Sequence, residues 1–270
     1  MTVATADVPT GDATPPIVTI GHGRATIRLN RPRQHNRIEP DDLAVLRDTF
    51  DRIDDDPEIR VLVLTGTGKS FSSGYHIGAL VERHAIKQDG REPGSDSFER
   101  TVDRLEALRV PTIAALNGSV YGGSTDLALA CDFRIGVAGM RMLMPAARLG
   151  IVYYPSGIER YVARLGVGAA KKLFLTAQPI DTDEMLRIGY LDECVPAAGL
   201  AARVDALAEI LTGNAPLALA GLKRAINEIA GGRLDRTELA AARARCAASE
   251  DHAEALRAWG EKRTPVFRGS

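Results

Sequence analysis

An α/β body followed by an all-helical C-terminal region is the architecture that this 270-residue sequence predicts. Three observations carry it. Strand-length apolar runs recur at 61–64, 112–116 and 133–137. Segments of helical period alternate with them. From about Leu200 onward the pattern becomes almost wholly helical and rich in alanine.

Taken in order, Ile17–Ile20 and Ala25–Leu29 are short β-favouring runs separated by Gly21-His22-Gly23, a hairpin pattern. After Pro40, Asp41-Asp42-Leu43 opens a helix whose apolar positions Leu43, Leu46, Phe50 and Ile53 keep the helical period. Its two acids favour the positive end of the helix dipole. Val61–Leu64 is an unbroken apolar strand, as expected when both faces are covered. The polar stretch Lys87–Ser97, with Gly90, Pro93 and Gly94, reads as a mobile loop before a helix that runs to about Arg109. Thr112–Leu116 is the next strand, followed by a glycine turn, a helix near Ser124–Ala130 and a strand at Phe133–Val137. In the helical region Pro216, Gly231-Gly232 and Gly260 are expected to mark breaks. No internal repeat is visible.

Hydrophobic content of 45% and charged content of 26% suit an ordinary globular protein able to bury a core without staples. The 34 basic and 35 acidic residues are interspersed, which lacks the basic footprint of a nucleic-acid binder. Cys131, Cys194 and Cys246 are widely spaced and form no CxxC pair, so they read as reduced thiols of a cytoplasmic protein. No apolar run approaches the length of a membrane-spanning helix. Residues 1–16 lack a basic start and an apolar stretch and read as a flexible tail.

Several familiar motifs fail. Thr65-Gly66-Thr67-Gly68-Lys69-Ser70 resembles a phosphate-binding loop, but Val63 occupies the required first glycine and Phe71-Ser72-Ser73-Gly74 reads as a turn instead of a helix. No GxSxG elbow is present. The five histidines form no HExxH and no ligand cluster, so no metal is expected.

Two glycine-containing turns remain: Ser70–Ile77 after one strand and Asn117–Leu127 after the next. In the second, glycines let the backbone approach a ligand and a helix begins at once. Its first N–H groups lack internal partners and suit a carbonyl oxygen that is acquiring negative charge. A tight strand-to-helix turn with no ligand fits the same spacing.

The combined pattern resembles the crotonase (enoyl-CoA hydratase/isomerase) superfamily. Leu29-Asn30-Arg31-Pro32 with Asn36 is similar to the family's first motif, and Leu62–Gly66 through Phe71–Gly74 to its second. Pro111–Gly118 through Gly122-Gly123 to Ala130-Cys131-Asp132 resembles the most diagnostic motif, and Glu261–Phe267 the closing signature. The resemblance implies a spiral of ββα repeats over residues 17–199, holding the acyl-CoA site. It also implies a helical trimerisation region over 200–270, as a trimer or a dimer of trimers. Coenzyme A enters as part of the substrate, with no separate cofactor.

Matched residue by residue, the resemblance implies an oxyanion hole made by the main-chain amides of Tyr75 and Gly123. Asp126 occupies the place of the first of two glutamates that serve family hydratases. Ala146 occupies the place of the second and cannot transfer a proton, which disfavours a standard two-glutamate hydratase. Asp126 is therefore expected to be the main acid–base group. The alternative is an acid that merely stabilises the dipole of its helix by about 0.3–1 kcal/mol. Tyr154 stands where some isomerases of the superfamily place an aspartate. It is expected to assist as a hydrogen-bond donor or acid, or else simply to pack, since a phenol's reference pKa of about 10 makes it a poor base. His76 and Glu159 are further candidates to replace the missing carboxylate, with a surface role as the plainer reading for each. Arg37 and Lys262 are the expected contacts for the coenzyme A phosphates, Lys262 reaching a neighbour's ligand. Trp259, Val266 and Phe267 are expected to bury against the body or another subunit.

The leading expectation is an acyl-CoA lyase or isomerase working through an enolate. A hydrolase of a cyclic diketone or of the thioester is the second reading, and a coenzyme A-binding protein without turnover the third.

Overall fold

The turn between the first two described strands is fixed by two left-handed residues, His22 (φ 52°) and Gly23 (φ 72°), which match the twist of the strands that they join. A computed structural model describes residues 14–76 and 97–270. The expected tail up to residue 13 and the expected loop up to residue 96 lie outside the described residues. Thr14 hydrogen-bonds Asn30 through both main chain and side chain.

Strands β1 (Ile17–Gly21) and β2 (Arg24–Leu29) pair antiparallel, as the hairpin pattern predicts. Helix α1 (Pro40–Asp55) starts with proline at its first position and a reciprocal cap between Glu39 and Asp42. Leu43, Leu46, Phe50 and Ile53, its predicted apolar face, are all buried.

Next come β3 (Val61–Gly66), β4 (Ser70–Ser72), α2 (Ser97–Glu106), β5 (Thr112–Leu116), β6 (Ser119–Tyr121), α3 (Gly123–Leu129), β7 (Phe133–Val137) and β8 (Met142–Leu143). Helix α4 (Pro155–Thr176) and the short α5 (Thr182–Arg187) precede β9 (Glu193–Val195). Four helices close the chain: α6 (Leu200–Thr212), α7 (Pro216–Ala230), α8 (Arg236–Ala247) and α9 (Glu250–Glu261).

The larger sheet has the order β1-β2-β3-β5-β7-β9, parallel from β2 onward, and the smaller one the order β4-β6-β8, also parallel. Each strand pair β3-β4, β5-β6 and β7-β8 gives its first member to the large sheet and its second to the small one. This is the ββα spiral that the family resemblance implies. The repeat exists in backbone geometry without a matching repeat of residue types. Helix α6 lies across β3, β5 and β7 with Leu200, Val204, Ala208 and Leu211 buried. Buried Lys223 of α7 ties the helical region to the body through Asp132 at 2.8 Å.

Two expectations need correction. Phe71-Ser72 belongs to strand β4, paired with β6, so the turn starts at Ser73. Gly260 lies inside α9, which ends instead at Lys262 in the left-handed conformation (φ 55°), its N–H bonded to Trp259. Pro216 and Gly231 do bound α7 as expected. No described helix is long and apolar enough to cross a membrane.

Candidate active site

Strands β4 and β6 are parallel neighbours, so their carboxyl ends leave the small sheet side by side. Clefts at such strand ends are the usual ligand positions of parallel sheets. From β4 the chain passes Ser73 and Gly74 (φ 99°) to Tyr75, and from β6 it passes Gly122 (φ 57°) to Gly123, the first residue of α3. The two turns touch. A Cβ on Gly74 would lie 2.7 Å from the Tyr121 carbonyl oxygen and 3.3 Å from the Gly123 nitrogen. Glycine is required at 74 both by this approach and by its positive φ.

Hydroxyls join the turns from below. Ser124 Oγ lies 3.1 Å from the Ser72 carbonyl oxygen and 2.6 Å from that of Tyr121. Ser72 Oγ donates to the Asn36 carbonyl at 2.7 Å and accepts from the Gly74 N–H at 3.1 Å. Tyr75 is held by a parallel bridge to Ile38, with the His76 N–H donating to the Ile38 carbonyl. The Gly123 N–H, at the first helical position, has no carbonyl within its own helix to bond.

Three residues on from Gly123 stands Asp126, with no solvent exposure. Its carboxylate receives Arg160 Nη1 at 2.8 Å on each oxygen and the Tyr154 hydroxyl on Oδ2. The Arg160 side chain is itself 1% exposed and also meets Asp103 at 2.7 Å and Glu106 at 3.1 Å. Burial pushes the Asp126 carboxyl above its ordinary range, with the Arg160 charge and the Tyr154 hydrogen bond acting against that push. Arg160 moves up despite burial, because Asp126 and Glu106 favour its charged form. Tyr154 moves up through burial and the Asp126 charge, so it keeps its proton and acts as a donor.

An aromatic wall connects this carboxylate with the paired turns. The Phe98 ring lies 5.1 Å from Tyr75 and 6.3 Å from Tyr154, centroid to centroid. Its tip rests on Gly123, where a Cβ would come within 2.9 Å of Cζ. Tyr75, Gly123, Asp126 and Tyr154 are therefore brought together. Asp126 forms a buried ion pair with Arg160, and the Tyr154 hydroxyl bonds the same carboxylate.

The remaining sequence candidates are placed differently. Arg37 adjoins the Ile38–Tyr75 bridge, and its guanidinium lies 2.5 Å from Glu39. His76 Nδ1 meets the same Glu39 carboxylate at 2.8 Å. Lys262 is exposed at the end of α9 and joins none of these contacts among the described residues. Ala146 is buried in a short 3-10 turn. Glu159 is an exposed charge paired with Arg233 at 3.1 Å, as its surface reading predicts. Trp259 and Val266 stay 86% and 65% exposed, so they do not bury against their own body. The residues that sequence reasoning missed are Arg160, Asp103, Glu106, Tyr153 and Phe98. Only Arg160 carried a signal: it shares the helical stripe of Gly157 and Tyr161, both buried.

What the arrangement offers is a pair of adjacent turns at parallel strand ends, one opening a helix, beside a buried carboxylate of raised basicity. Comparison with known proteins shows the family. The enoyl-CoA hydratase/isomerase family matches residues 19–270. A short-chain-enoyl-CoA hydratase of Clostridium acetobutylicum is 36% identical over 88% of this chain and 92% of its own. A crotonyl-CoA hydratase of Syntrophomonas wolfei is 34% identical over 90% and 94%. The crystal structure of an enoyl-CoA hydratase from Bacillus anthracis superposes with a TM-score of 0.82 at 30% identity, covering 95% of this chain and all of that one. Matched along nearly its whole described length by sequence and by shape, the chain belongs to the enoyl-CoA hydratase/isomerase (crotonase) family and is an acyl-CoA enzyme of that type.

Proposed function

We propose that the enzyme is an acyl-CoA lyase or isomerase in which the amides of Tyr75 and Gly123 hold the thioester oxygen while Asp126 moves the proton. Asp126 takes a proton from the carbon next to the thioester. The bonding pair moves into the C–C bond, and the carbonyl pair moves onto oxygen. The two N–H groups stabilise the enolate oxygen, each contributing about 2.7–4 kcal/mol by analogy with other oxyanion donors. The enolate then collapses by reprotonation at a different carbon, or by loss of a β-substituent. Tyr154 assists by donating to Asp126.

The observation that carries this reading is the Gly74–Gly123 approach at the ends of β4 and β6, with a fully buried carboxylate three residues on. Burial raises the basicity of Asp126, which favours proton abstraction near neutral pH. With Ala146 at the second glutamate position, one carboxylate serves where a standard hydratase uses two.

Arg37 and Lys262 are the proposed contacts for the coenzyme A phosphates. Arg37 would exchange Glu39 for a phosphate, and Lys262 would serve the ligand of a neighbouring subunit in a homotrimer or dimer of trimers. Three unpaired cysteines suit a reducing cytoplasm.

The test is deuterium incorporation from D2O into saturated, 2-enoyl, 3-enoyl and branched acyl-CoAs. Exchange next to the thioester is expected, with loss of about 100-fold or more in Asp126→Asn. Full turnover by that variant refutes the role of Asp126. Release of free coenzyme A without exchange would replace the enolate reading with thioester hydrolysis.

A further inference from the structure

Asp126 does not hold Arg160 to itself. The guanidinium reaches three carboxylates at once: Asp126 at 2.8 Å, Asp103 at 2.7 Å and Glu106 at 3.1 Å. The Glu106 contact is one of charge, with Arg160 Nε outside hydrogen-bond geometry. A second cation, Arg164, meets Glu106 at 3.0 Å. Helix α3 supplies Asp126, α2 the outer acids Asp103 and Glu106, and α4 both arginines.

Among the described residues, two arginines against three carboxylates leave this cluster with one negative charge too many. The other ionisable groups that face Asp126 supply no cation. They are Tyr153 and Tyr154 before α4, Tyr161 on α4 and Tyr190 beyond α5, and burial keeps all four phenols protonated. A proton on any one of the three acids brings the count to zero. Asp103 and Glu106 are 43% and 23% exposed, so water stabilises their charge, whereas Asp126 has no exposure at all. The surplus charge is therefore felt at Asp126 as affinity for a proton. Burial is the first cause that pushes this carboxyl up, the Arg160 charge opposes it, and the Glu106 charge adds to the push.

We propose that Glu106 is a positioning residue for the proposed reaction: by drawing on Arg160 it loosens that cation's hold on Asp126 and keeps Asp126 basic enough to take a proton from the acyl-CoA. This rests on the reading of Asp126 as the proton-moving group. Asp103 acts in the same direction and less strongly, because its greater exposure screens it. One guanidinium thus serves two opposed ends. Its Nη1 keeps Asp126 ionised at rest, and its contacts with the outer acids limit how firmly.

The readout is the pH dependence of deuterium exchange at C2 of sub-saturating butyryl-CoA in D2O, which is expected to fail at low pH as Asp126 gains a resting proton. Glu106→Gln removes the competing charge and leaves Arg160 freer to hold Asp126. The midpoint of the acid limb is expected to move to lower pH by about 0.5 or more. Above that limb the weaker base should exchange about twofold or more slowly. Glu106→Asp keeps the charge and returns the midpoint towards wild type, and Asp103→Asn moves it less than Glu106→Gln in the same direction. Glu159→Gln removes an exposed charge that pairs with Arg233 outside the cluster, and it leaves the midpoint in place. A merely structural Glu106 would change the melting temperature and not the midpoint. A wild-type midpoint in Glu106→Gln, with Asp126→Asn inactive, overturns the tuning and leaves the proposed function standing. Asp126→Asn retaining exchange removes the proposed function itself. Carbon-13 NMR of aspartate-labelled free enzyme decides the tuning without turnover, the Asp126 carboxyl being assigned by its loss in Asp126→Asn. Its titration at lower pH in Glu106→Gln than in wild type is expected. Equal midpoints, or a carboxyl that stays ionised down to acid unfolding in both proteins, overturn the tuning.

Discussion

Arg160 and Asp126 are bonded at 2.8 Å with 1% and 0% of their side chains exposed, so neither has water to fall back on. Removing one member of such a pair leaves a buried charge and typically costs about 3–5 kcal/mol. Arg160→Met is therefore expected to lower stability by that amount in urea unfolding, and Arg160→Met with Asp126→Asn to regain a large part of it. If the double variant is no more stable than the single one, the pair is not the source of the loss. Asp126 was singled out in the sequence through the family resemblance, which puts it at the place of the first glutamate. Arg160 was not, since a lone arginine on a helix reads as a solvated charge. Its burial depends on Asp103 and Asp126 arriving from 57 and 34 residues away. The stripe it shares with Gly157 and Tyr161 is its one local sign, and that stripe does not name the carboxylates.

Two glycines with positive φ separate backbone strain from close packing at the level of the element. Gly166 bends α4 at φ 81° with nothing near its missing Cβ, whereas Gly74 at φ 99° faces the Tyr121 carbonyl at 2.7 Å. Gly166→Ala is expected to cost only the left-handed penalty, about 1–2 kcal/mol in thermal unfolding, with turnover retained. Gly74→Ala carries the same penalty and also pushes the β4 turn off the β6 turn. Acyl-CoA turnover should be lost even where the protein folds by circular dichroism. Equal effects of the two substitutions on turnover would show that the approach of the turns is unimportant. The elements themselves were legible where the signal was local, as in the β1–β2 hairpin and the buried face of α1. Strand β4 was missed because Ser-Phe-Ser looks like a turn until β6 pairs with it. The break assigned to Gly260 was misplaced for a related reason: the end of α9 is set by Lys262 and by contacts of the tail that follows.

That tail folds back on α9 through Glu254, which accepts Arg263 on both oxygens and the Val266 N–H. The Arg263 hydrogen bond, with the Val266 N–H, lowers the Glu254 carboxyl from 4.5 to about 2. A lowered folded-state value means that the tie contributes fully above the ordinary glutamate range and is lost as pH falls towards about 2. Trp259, the single tryptophan, lies between the tied residues in sequence and serves as the probe. Its fluorescence should change across that acid window in the wild type. In Glu254→Gln it should already be changed at neutral pH. No difference between the two proteins would mean that the tie does not order the tail.

On the scale of the whole molecule, the helical region leaves apolar surface uncovered. Leu222, Ile226 and Ile229 occupy one face of α7 at 60%, 61% and 59% exposure, and Leu256 and Trp259 of α9 stand 63% and 86% exposed. Apolar side chains at spacings of four and three residues form a continuous stripe, and such stripes mark surfaces that bind another protein. The proposed homotrimer supplies a second copy to cover it. Charge placed in the stripe cannot be desolvated without loss, so Ile226→Glu is expected to convert a particle of three or six chains into one of 28.9 kDa in sedimentation velocity. The same variant links assembly to catalysis. If Lys262 serves a neighbour's coenzyme A, the separated chain should show a raised KM for acyl-CoA, and Lys262→Ala in the intact assembly should raise it similarly. An Ile226→Glu monomer with wild-type KM would confine the ligand to one chain and remove Lys262 from the site.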